Sequence, residues 1–417
     1  MIYLFVFLGL LGVCTGYLIV VVFFPGFDFP AKTMILHGKS AAPADSLPFR
    51  EEVEFLVDGQ RIRGWFYRSS VRPGSSNSAD LSGSAEIAQS SVASLGTPGS
   101  EHDDMTAPCI IMATGLGGTR RMGLEHYALC YRKYGFHCLT FDYRNSGESE
   151  GEPRNLVWPR MQLDDLRGAM EWAAARSEIQ GVFLWGASAA GAYGLILAAE
   201  QGQVLPSASS ASDTEDSGGL PVKSRTASEG SPSQRDWPPI YGVVCQVPAL
   251  NLKAEFKGMI RRIGLARFLR MFMHAQRDRG RGRLGLSPHY VPMVSSSGPA
   301  LLQGPGVEEG YAELCPGEFS NRICARSLVM PPPPSALDGI QDVRCPVLIQ
   351  LASSDNLIAS DGHIEIAAAL GSRAEVKRYE GGHFDLYRSP LADQVLADQV
   401  SFFSSCIEGI AGSNRSP

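Results

Sequence analysis

The segment Trp185–Gly191 constrains the fold most, because it places one serine among small residues between an apolar run and a helical pattern. The apolar run is typical of a short buried strand, and the apolar residues after the segment recur at helical spacing. A sharp strand-to-helix turn strains its central residue and needs small neighbours, which Gly186 and Ala190 provide. The pattern predicts that Ser188 is an exposed nucleophile, although a serine that caps an ordinary helix would give the same local sequence.

A carboxylate and an imidazole follow two later predicted strands. The apolar run Pro346–Leu351 leads to Asp355, and a second strand pattern is followed by paired glycines and His383. A serine hydroxyl needs an imidazole to take its proton, and a carboxylate orients that imidazole and stabilises its charged form. We therefore predict a triad of Ser188 as nucleophile, Asp355 as orienting carboxylate and His383 as general base. Asp361, at a predicted helix start, is an alternative to Asp355.

A glycine-rich loop after another apolar strand offers candidate donors to an oxyanion. The strand Cys109–Ala113 leads into Thr114–Thr119, whose glycines allow backbone amides to face a cavity. We predict that the N–H groups of Leu116 and Ala189 form an oxyanion hole, in which losing one donor typically costs about a hundredfold or more in rate. A phosphate-binding loop would require Gly-Lys-Ser/Thr, whereas this loop continues into two arginines.

Further motifs accompany these residues, namely Gly115–Thr119, Met122–Leu124, Phe141–Arg144, Gly147–Arg154 and Gly382–Tyr387. With the order Ser, Asp, His along the chain, they resemble the α/β-hydrolase superfamily. Within it, they are most similar to the X-Pro dipeptidyl-peptidase-like group that includes fungal polyketide-transferase-type hydrolases. The resemblance extends over most of residues 50–410 and implies an α/β-hydrolase fold with hydrolase or acyl transferase activity. Such families commonly begin the oxyanion loop with histidine, so Thr114 implies that the loop is held differently.

The order of the other patterns predicts how the chain is organised. Strands alternate with helices, which is typical of an α/β fold with a doubly wound, mostly parallel sheet. We expect this core at 50–249 and 336–410, with a helical cap over the active site at 250–335. Two stretches, about 71–107 and 206–239, are rich in serine and poor in aromatic residues, so we predict that both are disordered insertions.

The composition of the chain limits which kinds of molecule we expect it to bind. The chain has 417 residues, 44% of them hydrophobic, which is enough for one large catalytic core with insertions. A net charge of −6 implies no general affinity for nucleic acid. The 9 cysteines are scattered without a Cys-x-x-Cys pair, which argues against a disulfide framework and against structural zinc. We therefore expect a small-molecule acyl substrate and no metal, cofactor or nucleic acid.

The N-terminus and one basic segment suggest contact with a membrane. Residues 1–24 carry no charge and are almost wholly apolar, which predicts a single-pass transmembrane anchor rather than a cleaved signal peptide. Lys32 and Lys39 follow this run, so the positive-inside rule places the catalytic domain in the cytosol.

In the cap, basic residues from Lys253 to Arg283 are offset by only Glu255 and Asp278, while apolar residues recur near helical spacing. Such a helix can lie on an anionic bilayer. It can equally pack its apolar face over the pocket with arginines in solvent, or attract an acidic acyl substrate.

The sequence thus predicts a membrane-anchored serine hydrolase that cleaves a carboxylic ester, or alternatively a thioester or amide, through an acyl-Ser188 intermediate. An acyl transferase on the same triad is the first alternative. The second is a catalytically silent binding protein with a hydrolase fold, against which the ordered triad argues.

Overall fold

The computed structural model describes residues 2–17, 22, 28–43, 46–71, 105–204, 237–358 and 362–413. An eight-stranded sheet forms the centre of the molecule. In chain order, its strands are β1 Arg50–Val57, β2 Gln60–Tyr67, β3 Ala107–Ala113, β4 His137–Phe141, β5 Ile179–Ala187, β6 Ile240–Gln246, β7 Val347–Ala352 and β8 Ala374–Tyr379. In space they follow the order β1-β2-β4-β3-β5-β6-β7-β8. β1 and β2 form a hairpin that joins the sheet antiparallel. β3 to β8 are parallel, as the sequence predicts.

Helices cover both faces of this sheet. Among the described residues, the helices are α1 Ile2–Tyr17, α2 Leu124–Lys133, α3 Pro159–Ala174, α4 Ala189–Val204, α5 Leu252–Ile263, α6 Leu265–Arg283, α7 Val307–Leu314, α8 Gly362–Leu370 and α9 Leu391–Ser413. The side chains of β3 alternate between two apolar clusters, with Ile111 in one and Ile110 in the other. The first cluster includes residues of α3, α4 and α8, and the second includes residues of α2 and α9. Every residue of β3 is therefore buried, as expected for a parallel strand between two helical layers.

The segment between β6 and β7 includes residues 250–335, the predicted cap, and this region is called the cap below. It contains α5, α6 and α7, the strands Tyr290–Pro292, Val294–Ser295, Leu302–Gln303, Glu318–Ser320 and Arg322–Cys324, and the 3-10 helix Ala325–Val329. The 3-10 helix Ala336–Asp342 follows, and its residues Ala336 and Ile340 belong to the first apolar cluster. A strand from the N-terminal segment, Ile35–His37, pairs antiparallel with Glu318–Ser320. The sequence predicted neither this pairing nor the mixed character of the cap, which combines helices with short strands.

The predicted N-terminal transmembrane anchor is wrong. Within the described ranges, no helix combines the length and the apolar character needed to cross a bilayer. The prediction treated the uncharged run to residue 24 as one membrane-spanning helix, and of this run the structure describes the helix Ile2–Tyr17 and residue 22. The predicted membrane localisation and cytosolic orientation were both derived from this anchor and are therefore not supported.

Two other predictions meet the structure only in part. Most of the segments predicted to be disordered, 71–107 and 206–239, lies outside the described residues. The basic segment of the cap does not form a single solvent-facing surface, because Arg277 is buried and its guanidinium lies 3.6 Å from the Asp28 carboxylate.

Candidate active site

Ser188 lies in a sharp turn between β5 and α4. Its φ of +52° is in the left-handed region that residues with a β-carbon rarely adopt, and such a conformation costs on the order of 1–3 kcal/mol. The turn is fixed by backbone hydrogen bonds, since the Ser188 N–H donates to the Gln246 carbonyl at 2.9 Å and the Gly191 N–H to the Ser188 carbonyl at 3.1 Å. A β-carbon on Gly186 would lie 2.3 Å from the Ala190 carbonyl oxygen, which explains the small residue there. The sequence prediction of a strained strand-to-helix turn is confirmed.

His383 and Asp355 are brought together from the loops after β8 and β7. The distance from His383 Nδ1 to Asp355 Oδ2 is 2.8 Å, and the other carboxylate oxygen accepts the N–H groups of Leu357 and Ile358 at 2.8 Å each. The side chains of His383 and Asp355 are only 5% and 10% exposed. Because an ionised carboxylate only accepts hydrogen bonds, Nδ1 carries the proton and Nε2 is left as the acceptor. The alternative carboxylate, Asp361, lies outside the described residues.

Leu116 and Ala189 line the same cavity as Ser188 and His383. Ala189 is the first residue of α4, where the N–H has no helical carbonyl to bind. The Leu116 carbonyl accepts the Tyr311 hydroxyl of α7 at 2.6 Å, so the cap holds this loop from above.

The side chain of Thr114 shows how the loop is held without a histidine. The Thr114 hydroxyl donates to the Gly118 carbonyl at 3.0 Å, and the Thr114 carbonyl accepts the Tyr143 hydroxyl at 3.2 Å. The loop is thus closed on itself and bound to the core. Tyr143 lies in the motif Phe141–Arg144, but the local pattern does not indicate its contact with this loop. Tyr311 is far from the loop along the chain, and local patterns gave no signal for it.

The cavity has a volume of about 280 Å³ and a mostly apolar lining from core and cap. Its apolar residues include Leu116, Met122, Leu124, Trp185, Met259, Leu301, Leu302, Tyr311, Leu314, Leu328, Leu357, Ile358, Phe384 and Tyr387. Glu255 and Arg262 bring opposite charges to its rim, two helical turns apart on α5. Arg262 Nη1 donates to the Leu357 carbonyl at 2.9 Å, which ties α5 to the loop of Asp355. Burial lowers the pKa of Arg262, against the attraction of Glu255 and Asp355.

A pair of buried histidines lies in the cap, away from this cavity. His274 Nδ1 and His289 Nε2 are 2.9 Å apart, and the Asp28 carboxylate lies 3.3 Å from His289 Nδ1. Burial lowers the pKa of both histidines to about 4, with Arg277 adding to the effect. In the part of the chain that the structure describes, no group of three or more His, Cys, Asp or Glu side chains is arranged to hold a metal ion.

Known proteins resemble this chain in sequence. Residues 108–225 match a family model described as "alpha/beta hydrolase fold". The quorum-quenching protein AidA of Acinetobacter baumannii is 28% identical over 312 residues, which span 73% of this chain and 88% of AidA. The polyketide transferase grgF of a Penicillium species is 27% identical over 146 residues, and these span 34% of this chain but only 38% of the transferase.

The fold is shared with solved structures. The alpha/beta hydrolase GrgF from Penicillium sp. sh18 superposes with a TM-score of 0.56 and 19% identity, covering 85% of this chain and 98% of GrgF. This fold and the relatives named as hydrolases or transferases support hydrolase or acyl-transfer activity. The sheet order, the turn at Ser188 and these similarities together show an α/β-hydrolase fold.

Proposed function

We propose that the protein is a serine hydrolase that cleaves a carboxylic ester through an acyl-Ser188 intermediate. The single observation that carries this proposal is the 2.8 Å contact between His383 Nδ1 and Asp355 Oδ2. His383 lines the same cavity as Ser188. The strained turn at Ser188 supports it further, because strain of this kind is kept where a nucleophile must protrude from a sheet.

The reaction follows from the roles of these groups. His383 Nε2 takes the hydroxyl proton as Ser188 Oγ attacks the substrate carbonyl carbon, and Asp355 stabilises the imidazolium that forms. The N–H groups of Leu116 and Ala189 donate to the oxyanion of the tetrahedral intermediate. As this intermediate collapses, the bond to the leaving alcohol breaks and the alcohol takes the proton from His383. Water then attacks the acyl-serine with His383 again as base, which releases the acid and restores Ser188.

The apolar lining of the cavity favours an acyl chain over a polar substituent, because moving an apolar chain from water into the cavity lowers its free energy. The substrate class is therefore a small ester with an apolar acyl chain. A thioester or an amide would follow the same steps with a thiol or an amine as leaving group.

Labelling with a fluorophosphonate tests the nucleophile. We expect the wild type to react covalently and to hydrolyse p-nitrophenyl esters, and Ser188→Ala to do neither. Ser327→Ala is a matched control, because Ser327 lines the same cavity while its hydroxyl accepts the Val157 N–H at 3.0 Å. Ser327→Ala should keep both labelling and hydrolysis. Labelling that persists in Ser188→Ala would contradict the proposal.

An acyl transferase is the second candidate, and the match to a protein named a polyketide transferase favours it. A second substrate, an alcohol or amine, would then take the acyl group from Ser188 in place of water. The two functions separate when an alcohol is added during ester turnover. A transferase yields far more new ester than the molar ratio of alcohol to water allows, whereas a hydrolase yields mostly free acid.

A further inference from the structure

A buried glutamine joins the nucleophile to the turn that carries the base. Gln246 is the last residue of β6 and is 0% exposed. Its backbone carbonyl accepts the Ser188 N–H at 2.9 Å and so helps to fix the strained turn. A fully buried side-chain amide is costly unless its donors and acceptor are satisfied, so its partners should have a defined arrangement.

The side chain of Gln246 is satisfied at each of its polar atoms. Its Nε2 donates to the Tyr127 hydroxyl at 3.1 Å. Its Oε1 accepts Gln399 Nε2 from α9 at 2.8 Å. The amide is therefore held between α2 and α9 and has little freedom to rotate.

Tyr127 reaches the chain that follows His383. A short 3-10 helix, Asp385–Tyr387, begins two residues after His383. The Tyr127 hydroxyl donates to the Leu386 carbonyl of this helix at 3.3 Å. The Tyr127 ring also packs against Trp185 of β5 at 5.4 Å between centroids, directly before the turn of Ser188. Gln246 thus contacts the nucleophile through its backbone, and its side chain is linked to the base-bearing turn through the Tyr127 hydroxyl.

We propose that Gln246 is a positioning residue that sets the separation between Ser188 Oγ and His383 Nε2. This inference rests on the proposed function. The two groups come from loops about two hundred residues apart in sequence, and Gln246 is a rigid link between them. Because a misplacement of about 1 Å at a reacting pair can cost a hundredfold in rate, loss of the link should lower the rate more than it lowers substrate binding.

The chain offers a matched control in Gln350. It lies beside Gln246 in register on β7, is also 0% exposed, and shares the contact with Gln399. Its Nε2, however, donates to the Tyr379 hydroxyl at 2.7 Å and to the Val395 carbonyl at 3.2 Å. These partners lie in β8 and α9 rather than in the turn after His383. A purely structural role would make the two glutamines equivalent.

The experiment compares Gln246→Met with Gln350→Met in the full chain. Methionine has a similar shape without the hydrogen bonds, so both variants should lose comparable stability in urea unfolding. We expect Gln246→Met to lower kcat and the rate of fluorophosphonate labelling by about 10- to 100-fold, with KM changed less than about twofold. Gln350→Met should keep kcat within about threefold. Equal losses of kcat in both variants, or a loss confined to KM, would overturn the inference.

Tyr127→Phe provides a second route if Gln246→Met fails to fold, since it removes one hydroxyl and keeps the ring. It should lower kcat about 3- to 10-fold, and the effects of Tyr127→Phe and Gln246→Met should be less than additive because they break one chain of bonds. A Tyr127→Phe variant with unchanged kcat would contradict the inference. If labelling of the wild type did not depend on Ser188, both the proposed function and this inference would be wrong. If the wild type labelled normally but Gln246→Met and Gln350→Met lost kcat equally, only this inference would be wrong.

Discussion

The floor and the roof of the Ser188 cavity are built in different ways. The floor consists of loops at the carboxyl ends of β3, β5, β7 and β8, where each residue follows directly from its strand. The roof consists of α5, α7 and neighbouring cap segments, which are held by contacts between residues distant in sequence. The comparison suggests that the floor carries the chemistry and the roof selects the substrate. Variants in the two parts should therefore change different kinetic constants.

The largest effect is expected in the floor, at Asp355. Asp355→Asn keeps the shape of the side chain but removes the charge that, in the proposed mechanism, stabilises the His383 imidazolium and favours the Nδ1–H tautomer. We expect kcat for p-nitrophenyl ester hydrolysis to fall about 10³- to 10⁴-fold, with little change in KM. Steady-state kinetics would measure the loss, and circular dichroism would verify that the fold is kept.

Asp361→Asn is the matched control, because Asp361 was the alternative from the sequence. It should retain nearly full activity. A large loss in Asp361→Asn together with a small loss in Asp355→Asn would reverse the assignment.

The difference between floor and roof also explains what could be predicted from sequence. The sheet, the turn at Ser188 and the approach of His383 to Asp355 follow from strand patterns, glycines and the fixed edge of a parallel sheet. The Tyr311 bond to Leu116 and the pairing of Ile35–His37 with the cap depend on contacts between remote residues, which periodicity does not encode. The error at the N-terminus has another cause: an apolar run indicates burial against protein or lipid, but it does not distinguish between the two.

Tyr311 links the roof to the floor and should give an intermediate effect. Tyr311→Phe removes the hydroxyl that donates to the Leu116 carbonyl at 2.6 Å and loosens the loop whose N–H is proposed to bind the oxyanion. A buried hydrogen bond is worth about 1 kcal/mol, so we expect kcat to fall about fivefold. KM for a short ester should hardly change. An unchanged kcat, with a shifted chain-length preference instead, would assign Tyr311 to substrate selection.

Acid should weaken the cap before it weakens the floor. Folding lowers the pKa of His274 and His289 to about 4, so below about pH 6.5 the unfolded chain binds more protons at these residues than the folded chain. Their contribution to stability is complete above that pH and is lost as the pH falls towards 4. Urea unfolding should show a loss on the order of 1 kcal/mol between pH 7 and pH 5.5. In His289→Phe this part of the pH dependence should shrink, and an unaltered profile would contradict the assignment.

The smallest effect is expected in the roof, at Met259 of α5. Its side chain lines the cavity, and Met259→Ala should lengthen the space for an acyl chain. We expect kcat/KM for the longest p-nitrophenyl ester to rise about threefold relative to the shortest. Burying each added methylene stabilises the bound ester by at most about 0.8 kcal/mol. The rate of Ser188 labelling by a small fluorophosphonate should stay the same. Lys257→Ala, at an exposed position of the same helix, should leave the preference unchanged. If Met259→Ala slowed all esters and the labelling equally, α5 would act on the chemistry itself, and the division between a catalytic floor and a selective roof would fail.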